Sequence, residues 1–75
     1  MTADVLAIIL DVFSKILNTE VGPEDDFFSL GGDSLSSEIV LTEISCRIRI
    51  DLPGCILLDY ARPIDLLAFI TNRRL

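Results

Sequence analysis

Histidine is absent from this chain of 75 residues, and its absence removes several kinds of chemistry at once. Without an imidazole there is no Ser-His-Asp or Cys-His catalytic arrangement, no histidine metal ligand and no histidine pH switch. Self-contained hydrolytic chemistry goes with them. Cysteine is scarce: Cys46 and Cys55 are too few for a disulfide-rich scaffold, and their spacing matches no zinc or CxxC redox pattern, so both read as reduced thiols. Basic residues are few, six against twelve acids, for a net charge of −6. An acidic chain with dispersed arginines repels phosphates instead of releasing their counterions, which argues against nucleic acid and for partners with basic surfaces. Long apolar runs are missing too. The longest, Val5 to Leu10, is far short of the roughly 20 residues needed to span a bilayer, and the N-terminus has no basic, signal-like start. A soluble, cytoplasmic protein with no membrane role is the expectation.

What remains is apolar and short. With 51% hydrophobic residues, low-hydrophobicity disorder is unsuited to the chain, and a length well under the usual 100 to 200 residues per domain allows one compact core. Such a small domain buries only about 60% of its unfolded surface.

Gly22-Pro23, Gly31-Gly32, Pro53-Gly54 and Arg62-Pro63 punctuate the chain into helix-length pieces. There is no internal repeat or low-complexity tract. In the first piece Thr2 is a candidate N-cap, and Val5, Ile8, Ile9, Val12, Phe13, Ile16 and Leu17 share one broad face opposite Asp4, Asp11, Ser14 and Lys15, predicting a helix over 3–17. So wide an apolar arc suits a helix lying between two others. Residues 18–33 form a long acidic connection whose Val21, Phe27, Phe28 and Leu30 are too apolar for a freely solvated loop; Phe27 and Leu30 are expected to pin it to the core. Loops of this length in small domains are usually functional.

From Asp33, a candidate N-cap, to about Ile48 the pattern is again helical. With Leu35 at zero, Val40, Leu41, Ile44 and Ile48 fall at about 140° to 240°, a core stripe, while Leu35, Ile39 and Cys46 lie on the opposite side, accompanied by Glu38 and Thr42. Either the small protein buries both faces, or the second is an exposed apolar stripe edged with acid, which would be a docking surface. Pro53-Gly54 leaves room for a short, irregular third helix near 55–59. Pro63 suits the first turn of a last helix, to which Ile64, Leu66, Leu67, Phe69 and Ile70 give an apolar face and Arg73 and Arg74 a charge complementary to its C-terminal end. No stretch alternates with period two. The expected fold is all-α, a small four-helix bundle with a long first loop and a short third helix.

Leu30-Gly31-Gly32-Asp33-Ser34-Leu35 is the stretch that carries chemistry. Two glycines permit a close turn that delivers Ser34 to a helix start with its hydroxyl exposed, where free N–H groups and the positive end of the helix dipole favour a phosphoester. Taken alone, the pattern is more often an ordinary helix cap after a glycine turn.

The longer stretch VGPEDDFFSLGGDSL, Val21 to Leu35, closely resembles the attachment segment of phosphopantetheine-dependent carrier domains, above all the peptidyl carrier proteins of nonribosomal peptide synthetases. The resemblance extends over almost the whole chain, through a first helix ending at Leu17, a turn at Ile48 to Pro53 and a last helix containing Asp65-Leu66-Leu67-Ala68-Phe69-Ile70. It implies a single carrier domain over residues 1–75, acyl carrier protein-like in fold, monomeric and without catalysis of its own. It implies a 4′-phosphopantetheine arm, donated by coenzyme A and attached to Ser34 by a phosphopantetheinyl transferase with magnesium. Asp33 matches the residue that helps the transferase engage, and Gly31 and Gly32 match the turn. An aminoacyl or acyl group would ride as a thioester on the arm, so no cysteine of the chain is needed. An adenylation or acyltransferase enzyme would load it, and condensation or tailoring enzymes would unload it, docking across Leu35, Glu38, Ile39 and Thr42.

Some positions depart from the pattern. Carrier domains commonly have an aromatic residue where Leu58 stands, proline at Ala61 and threonine at Arg62, with Pro63 displaced here by comparison. Glu38 occupies a position that is often apolar and faces partner enzymes, which bears on partner identity more than on modification. The wording FFSLGG points to peptide rather than polyketide service, and the lack of linker-like tails to a free-standing carrier. Gly32-Asp33-Ser34-Leu35 also spells the signature of GDSL-type esterases, but their serine is activated by a histidine that this chain lacks. An unmodified helical protein-interaction module is the remaining alternative.

Overall fold

Helix α1, Thr2–Leu17, contains neither glycine nor proline and presents its apolar residues at helical spacing. In the computed structural model, which describes residues 2–74 and the side chains of 5–72, Val5, Ile9, Val12 and Phe13 are buried, with Ile8, Ile16 and Leu17 packed half-buried beside them. These are the seven positions expected to share a face. The face is broad because both other α-helices pack on it. α1 begins at Thr2, which is therefore its first residue rather than the cap ahead of it; the side chains of Thr2 and Asp4 lie outside the described residues. The helix stops at Asn18, whose left-handed φ of 56° bends the chain so that Thr19 N–H donates to the Ser14 carbonyl at 3.2 Å.

α2, Ser34–Ile48, buries Ser37, Val40, Leu41 and Ile44 and packs Ile48 against the core. Burial of an aliphatic side chain stabilises the fold by about 1.5 to 3 kcal/mol. The opposite cluster contributes little of this, because Leu35 is 71% and Ile39 48% exposed and Cys46 lies on the surface. The two readings open at the level of periodicity are thus resolved in favour of an exposed apolar stripe. Arg47 joins α2 to α1 by a salt bridge to Asp11 at 3.0 Å and is held within its own helix by Glu43 at 2.9 Å.

The connection of residues 18–33 is held from both sides. Phe27 is completely buried, edge-on to Phe13 and to Phe28 at 5.2 Å each. Its N–H donates to the Ala61 carbonyl at 3.0 Å, and the Pro23 carbonyl accepts from Ile64 N–H at 2.9 Å. Val21 and Phe28 add half-buried contacts. Leu30 does not share this role. The turn drawn by Leu30 N–H to the Asp26 carbonyl and Gly31 N–H to the Phe28 carbonyl leaves Leu30 half-buried and outside the core cluster.

Ile56–Leu58 is one turn of 3₁₀ helix that inserts Ile56 and Leu57 into the core and leaves Leu58 73% exposed. α3, Pro63–Arg74, closes the molecule. Pro63, Leu66 and Ile70 are buried at i, i+3, i+7 spacing. Ile64, expected on that face, is 43% exposed, because at about 100° per residue Pro63 takes the core position and turns its neighbour away. The side chains of Arg73 and Arg74, expected to complement the end of α3, lie outside the described residues. The fold is all-α as expected, with the short, irregular third helix expected near 55–59 taking the form of a 3₁₀ turn among three α-helices, and there is no strand among the described residues. No helix is long and apolar enough to cross a membrane.

Candidate functional site

The two glycines ahead of α2 are required for different reasons. Gly31 has φ +104°, which L side chains rarely adopt, whereas Gly32 is needed for space, since a Cβ there would run into the Phe27 ring. Gly32 N–H donates back to the Phe27 carbonyl at 3.1 Å. The turn is thus fixed to a buried aromatic residue, and Asp33 leaves it in extended conformation to cap α2.

Capping is reciprocal. The Asp33 carboxylate oxygen Oδ1 accepts from Ser36 N–H at 2.9 Å and from the Ser36 hydroxyl at 2.8 Å, while Asp33 N–H donates to Ser36 Oγ at 2.9 Å. These bonds, from the Ser36 backbone first and its hydroxyl second, hold the Asp33 carboxyl below the ordinary aspartate range. The Leu35 backbone N–H adds a smaller contribution in the same direction. The expectation of free donors for an anion is therefore only partly met: the N–H groups of Ser36 and Leu35 already serve Asp33, leaving Ser34 N–H and the positive end of the helix dipole.

Ser34 follows the cap as the first residue of α2 and is exposed. Its carbonyl accepts from the buried Ser37 hydroxyl at 2.9 Å, so its backbone is fixed while its side chain is not. The residue opens into a groove of about 290 Å³ walled by Phe28, Glu38, Gly54, Cys55 and Leu58. The 3₁₀ turn thus supplies one wall of the serine's surroundings.

Gly31, Gly32, Asp33 and Ser34 are contiguous here, and Leu35, Glu38, Ile39 and Thr42 line one shallow depression on the same helix together with Glu43. Sequence reasoning missed Ser36, Ser37 and the wall formed by Cys55 and Leu58. A serine three residues after the cap is a weaker capping-box signal than glutamate. The wall comes from residues some twenty positions downstream, with nothing local to flag it.

Chemically, the arrangement offers an exposed primary hydroxyl on a rigid turn, a neighbouring exposed carboxylate and an adjoining groove. There is no histidine to activate the hydroxyl as a nucleophile, and no group of residues suited to hold a metal ion occurs among the described residues. The hydroxyl is suited to modification by another enzyme.

Residues 7–70 match the family described as "Phosphopantetheine attachment site". The chain is 38% identical over 63 residues to tyrocidine synthase 3 of Brevibacillus parabrevis, covering 83% of this chain and 1% of that one. It is 41% identical over 54 residues to the phenyloxazoline synthase MbtB of a Mycobacterium species, covering 68% and 4%. It is also 41% identical over 46 residues to the isonitrile lipopeptide synthase of Mycobacterium tuberculosis, covering 60% and 2%. The chain therefore spans no more than 4% of the length of these relatives. In structure it is similar to BlmI, a type-II acyl carrier protein from Streptomyces verticillus involved in bleomycin biosynthesis, with a TM-score of 0.92 over 99% of this chain and 90% of that one at 19% identity. That likeness establishes a shared fold.

Proposed function

The chain belongs to the phosphopantetheine attachment-site family, and on that footing we propose that Ser34 is the residue that takes the arm. The protein is a carrier and not an enzyme: it holds 4′-phosphopantetheine covalently, and that group supplies a thiol on which a cargo rides as a thioester. The observation that supports Ser34 is the exposed hydroxyl on a turn fixed to Phe27, opening into a groove.

Ser34 Oγ forms the new bond, to the phosphorus of coenzyme A nearest the pantetheine; its proton is released and adenosine bisphosphate leaves. A phosphopantetheinyl transferase with magnesium performs this step. The exposed Asp33 carboxylate would help the transferase and its metal engage, while its Oδ1 keeps the helix capped. Gly31 and Gly32 set the turn that presents the hydroxyl.

The residues 1–75 act as a single, monomeric carrier domain in the cytoplasm. The cargo is an aminoacyl group of the nonribosomal peptide type, supported by the synthase relatives. An adenylation enzyme loads it, and condensation or tailoring enzymes receive it. They dock over Leu35, Glu38, Ile39 and Thr42, where exposed apolar surface surrounds an acid.

Intact mass after incubation with coenzyme A, magnesium and a broad-specificity transferase tests the assignment. The expected result is a gain of one phosphopantetheine in the parent and none in Ser34→Ala, with helical circular dichroism unchanged. Gain in the variant, or attachment to Cys46 or Cys55, overturns it. An unmodified parent is the result expected of a plain helical interaction module.

A further inference from the structure

Ser34, Ser36 and Ser37 all lie in the first turn of α2, and each hydroxyl is used differently. Ser37 is buried and donates to the Ser34 carbonyl at 2.9 Å, while the exposed Ser34 hydroxyl has no hydrogen bond among the described residues. Ser36 turns back on Asp33. Its Oγ accepts from Asp33 N–H at 2.9 Å and lies 2.8 Å from Asp33 Oδ1 and 3.1 Å from the Asp33 carbonyl. A hydroxyl has a single proton to give, and the shorter, charge-assisted contact to the carboxylate is the stronger bond. Oδ1 accepts from Ser36 N–H as well, at 2.9 Å. Ser36 therefore holds Asp33 by three bonds, and Ser34 lies in the span they close.

A helix cap does not need all of them. In the usual capping box a glutamate at this position accepts from the cap N–H, which satisfies the backbone and gives the cap side chain nothing. Beside an aspartate cap it would also place two carboxylates together. Serine accepts from the backbone and donates to the carboxylate with the same atom. With both donors of Ser36 on Oδ1, the Asp33 side chain is held in one staggered rotamer and against rotation about Cβ–Cγ, a torsion that is otherwise broad. The orientation of the carboxylate is thus fixed although the residue is exposed.

We infer that Ser36 is a positioning residue for arm attachment, holding the Asp33 carboxylate in the orientation that the transferase engages, immediately before the hydroxyl that is modified. The inference rests on the proposed attachment at Ser34 and the proposed role of Asp33. Ser36 acts through Asp33 and takes no part in the bond formed at Ser34, because its proton is committed to the carboxylate. Its contribution belongs to the rate of the bound complex, since Leu35, Glu38, Ile39 and Thr42, over which partners are proposed to dock, are not among its contacts.

Single-turnover attachment with coenzyme A, magnesium and a broad-specificity transferase, followed by intact mass over a range of transferase concentrations, separates the maximal rate from the half-saturating concentration. Ser36→Thr keeps a hydroxyl and should keep the parent's rate. Ser36→Ala and Ser36→Glu should each lower the maximal rate about three- to tenfold, the cost of a less well oriented group. The half-saturating concentration of Ser36→Ala should be unchanged. Ser36→Glu can still accept from Asp33 N–H and places an acid in the first helical turn, so its urea midpoint should match the parent's. What it shares with Ser36→Ala is the lost donor to Asp33. In the protein free of arm and transferase, Hα–Hβ couplings of Asp33 should show one rotamer in the parent and Ser36→Thr, and averaging in the other two. The parent's maximal rate in Ser36→Glu, a slow Ser36→Thr, or equal Asp33 couplings throughout would reduce Ser36 to a helix cap and overturn the inference, while mass gain at Ser34 leaves the attachment assignment standing. No mass gain in the parent overturns both.

Discussion

The ring of Phe27 stands where a side chain at Gly32 would begin. The ring cannot withdraw, because it is completely buried and meets Phe13 and Phe28 edge-on. The backbone two residues before Ser34 is therefore positioned directly by the core.

Adding one methyl at this contact should be costly. Gly32→Ala is expected to lower stability by about 1 to 3 kcal/mol through overpacking, and Phe27→Ala by about 3 to 5 kcal/mol through the cavity it leaves. Gly32→Ala combined with Phe27→Leu should cost less than the sum of the two single changes, as expected of residues in contact. Urea midpoints give all of these values. A neutral Gly32→Ala would show that the turn can move away from the ring.

Leu30 provides the contrast. It lies outside the core cluster, so Leu30→Ala should cost about 1 kcal/mol or less, well below Phe27→Ala. Equal losses in the two variants, measured under the same conditions, would mean that Leu30 anchors the loop after all.

Glu38→Lys should leave the thermal midpoint nearly unchanged, since Glu38 is exposed and unpaired. It should slow loading by the cognate enzyme, with an effect that shrinks as salt is raised, because charges at a docking surface act on encounter rate and specificity. Leu35→Ala should weaken docking with little salt dependence. Loading kinetics at low and high salt separate the two effects. Normal loading of Glu38→Lys at low salt, together with a lowered midpoint, would assign this face to structure.

Acidification should weaken the fold in a defined window. Hydrogen bonds hold the carboxyls of Asp33, by Ser36, of Asp11, by Arg47 and then Lys15, and of Asp65, by Arg62, below the ordinary aspartate range. Each binds a proton less readily folded than unfolded, so its stabilisation is complete above the unfolded aspartate value and is lost as pH falls through the lowered folded value. Urea midpoints should hold near neutrality and drop at the acid end. Asp33→Asn, which can still cap, should give a shallower drop than the parent; an identical drop would mean that Asp33 contributes nothing to it.

Arg49 ends α2 with φ 60°, and its N–H donates to the Ser45 carbonyl at 2.8 Å. A residue with a Cβ is strained there and glycine is not, so Arg49→Gly should raise stability by about 0.5 to 1 kcal/mol after glycine's greater freedom in the unfolded chain is set against it. Thermal unfolding at fixed pH and salt measures the change, and a lowered midpoint would point to an unseen contact of the guanidinium.

Periodicity located the core faces of α1 and α2 because each is a long helix with one dominant packing direction. It could not say whether Leu35 and Ile39 were buried, since that depends on whether another element covers them, and none does. Asp33 as a cap and Pro63 at a helix start were legible because both act through local backbone chemistry. Leu30 and Ile64 were misplaced because hydrophobicity alone does not reveal which way a tight turn or a first helical turn points a side chain. The need for Gly32 was visible as a glycine, but its reason, a ring five residues earlier folded back over it, was not. The grooves were invisible for the same reason: their walls come from α2 and from residues 51–58, which local pattern does not bring together.

The two hydrogen bonds from the loop to the start of α3, Phe27 to Ala61 and Ile64 to Pro23, span well over thirty residues of chain. Contacts so distant in sequence form only after the intervening segment has been closed into a loop, which is slow and entropically opposed. During synthesis the turn ahead of Ser34 consequently cannot be completed until residues 61–64 have left the ribosome. A nascent chain shorter than that has the serine but not its finished surroundings, so, on the attachment proposed for Ser34, the fold itself would delay modification until the last helix has begun to form.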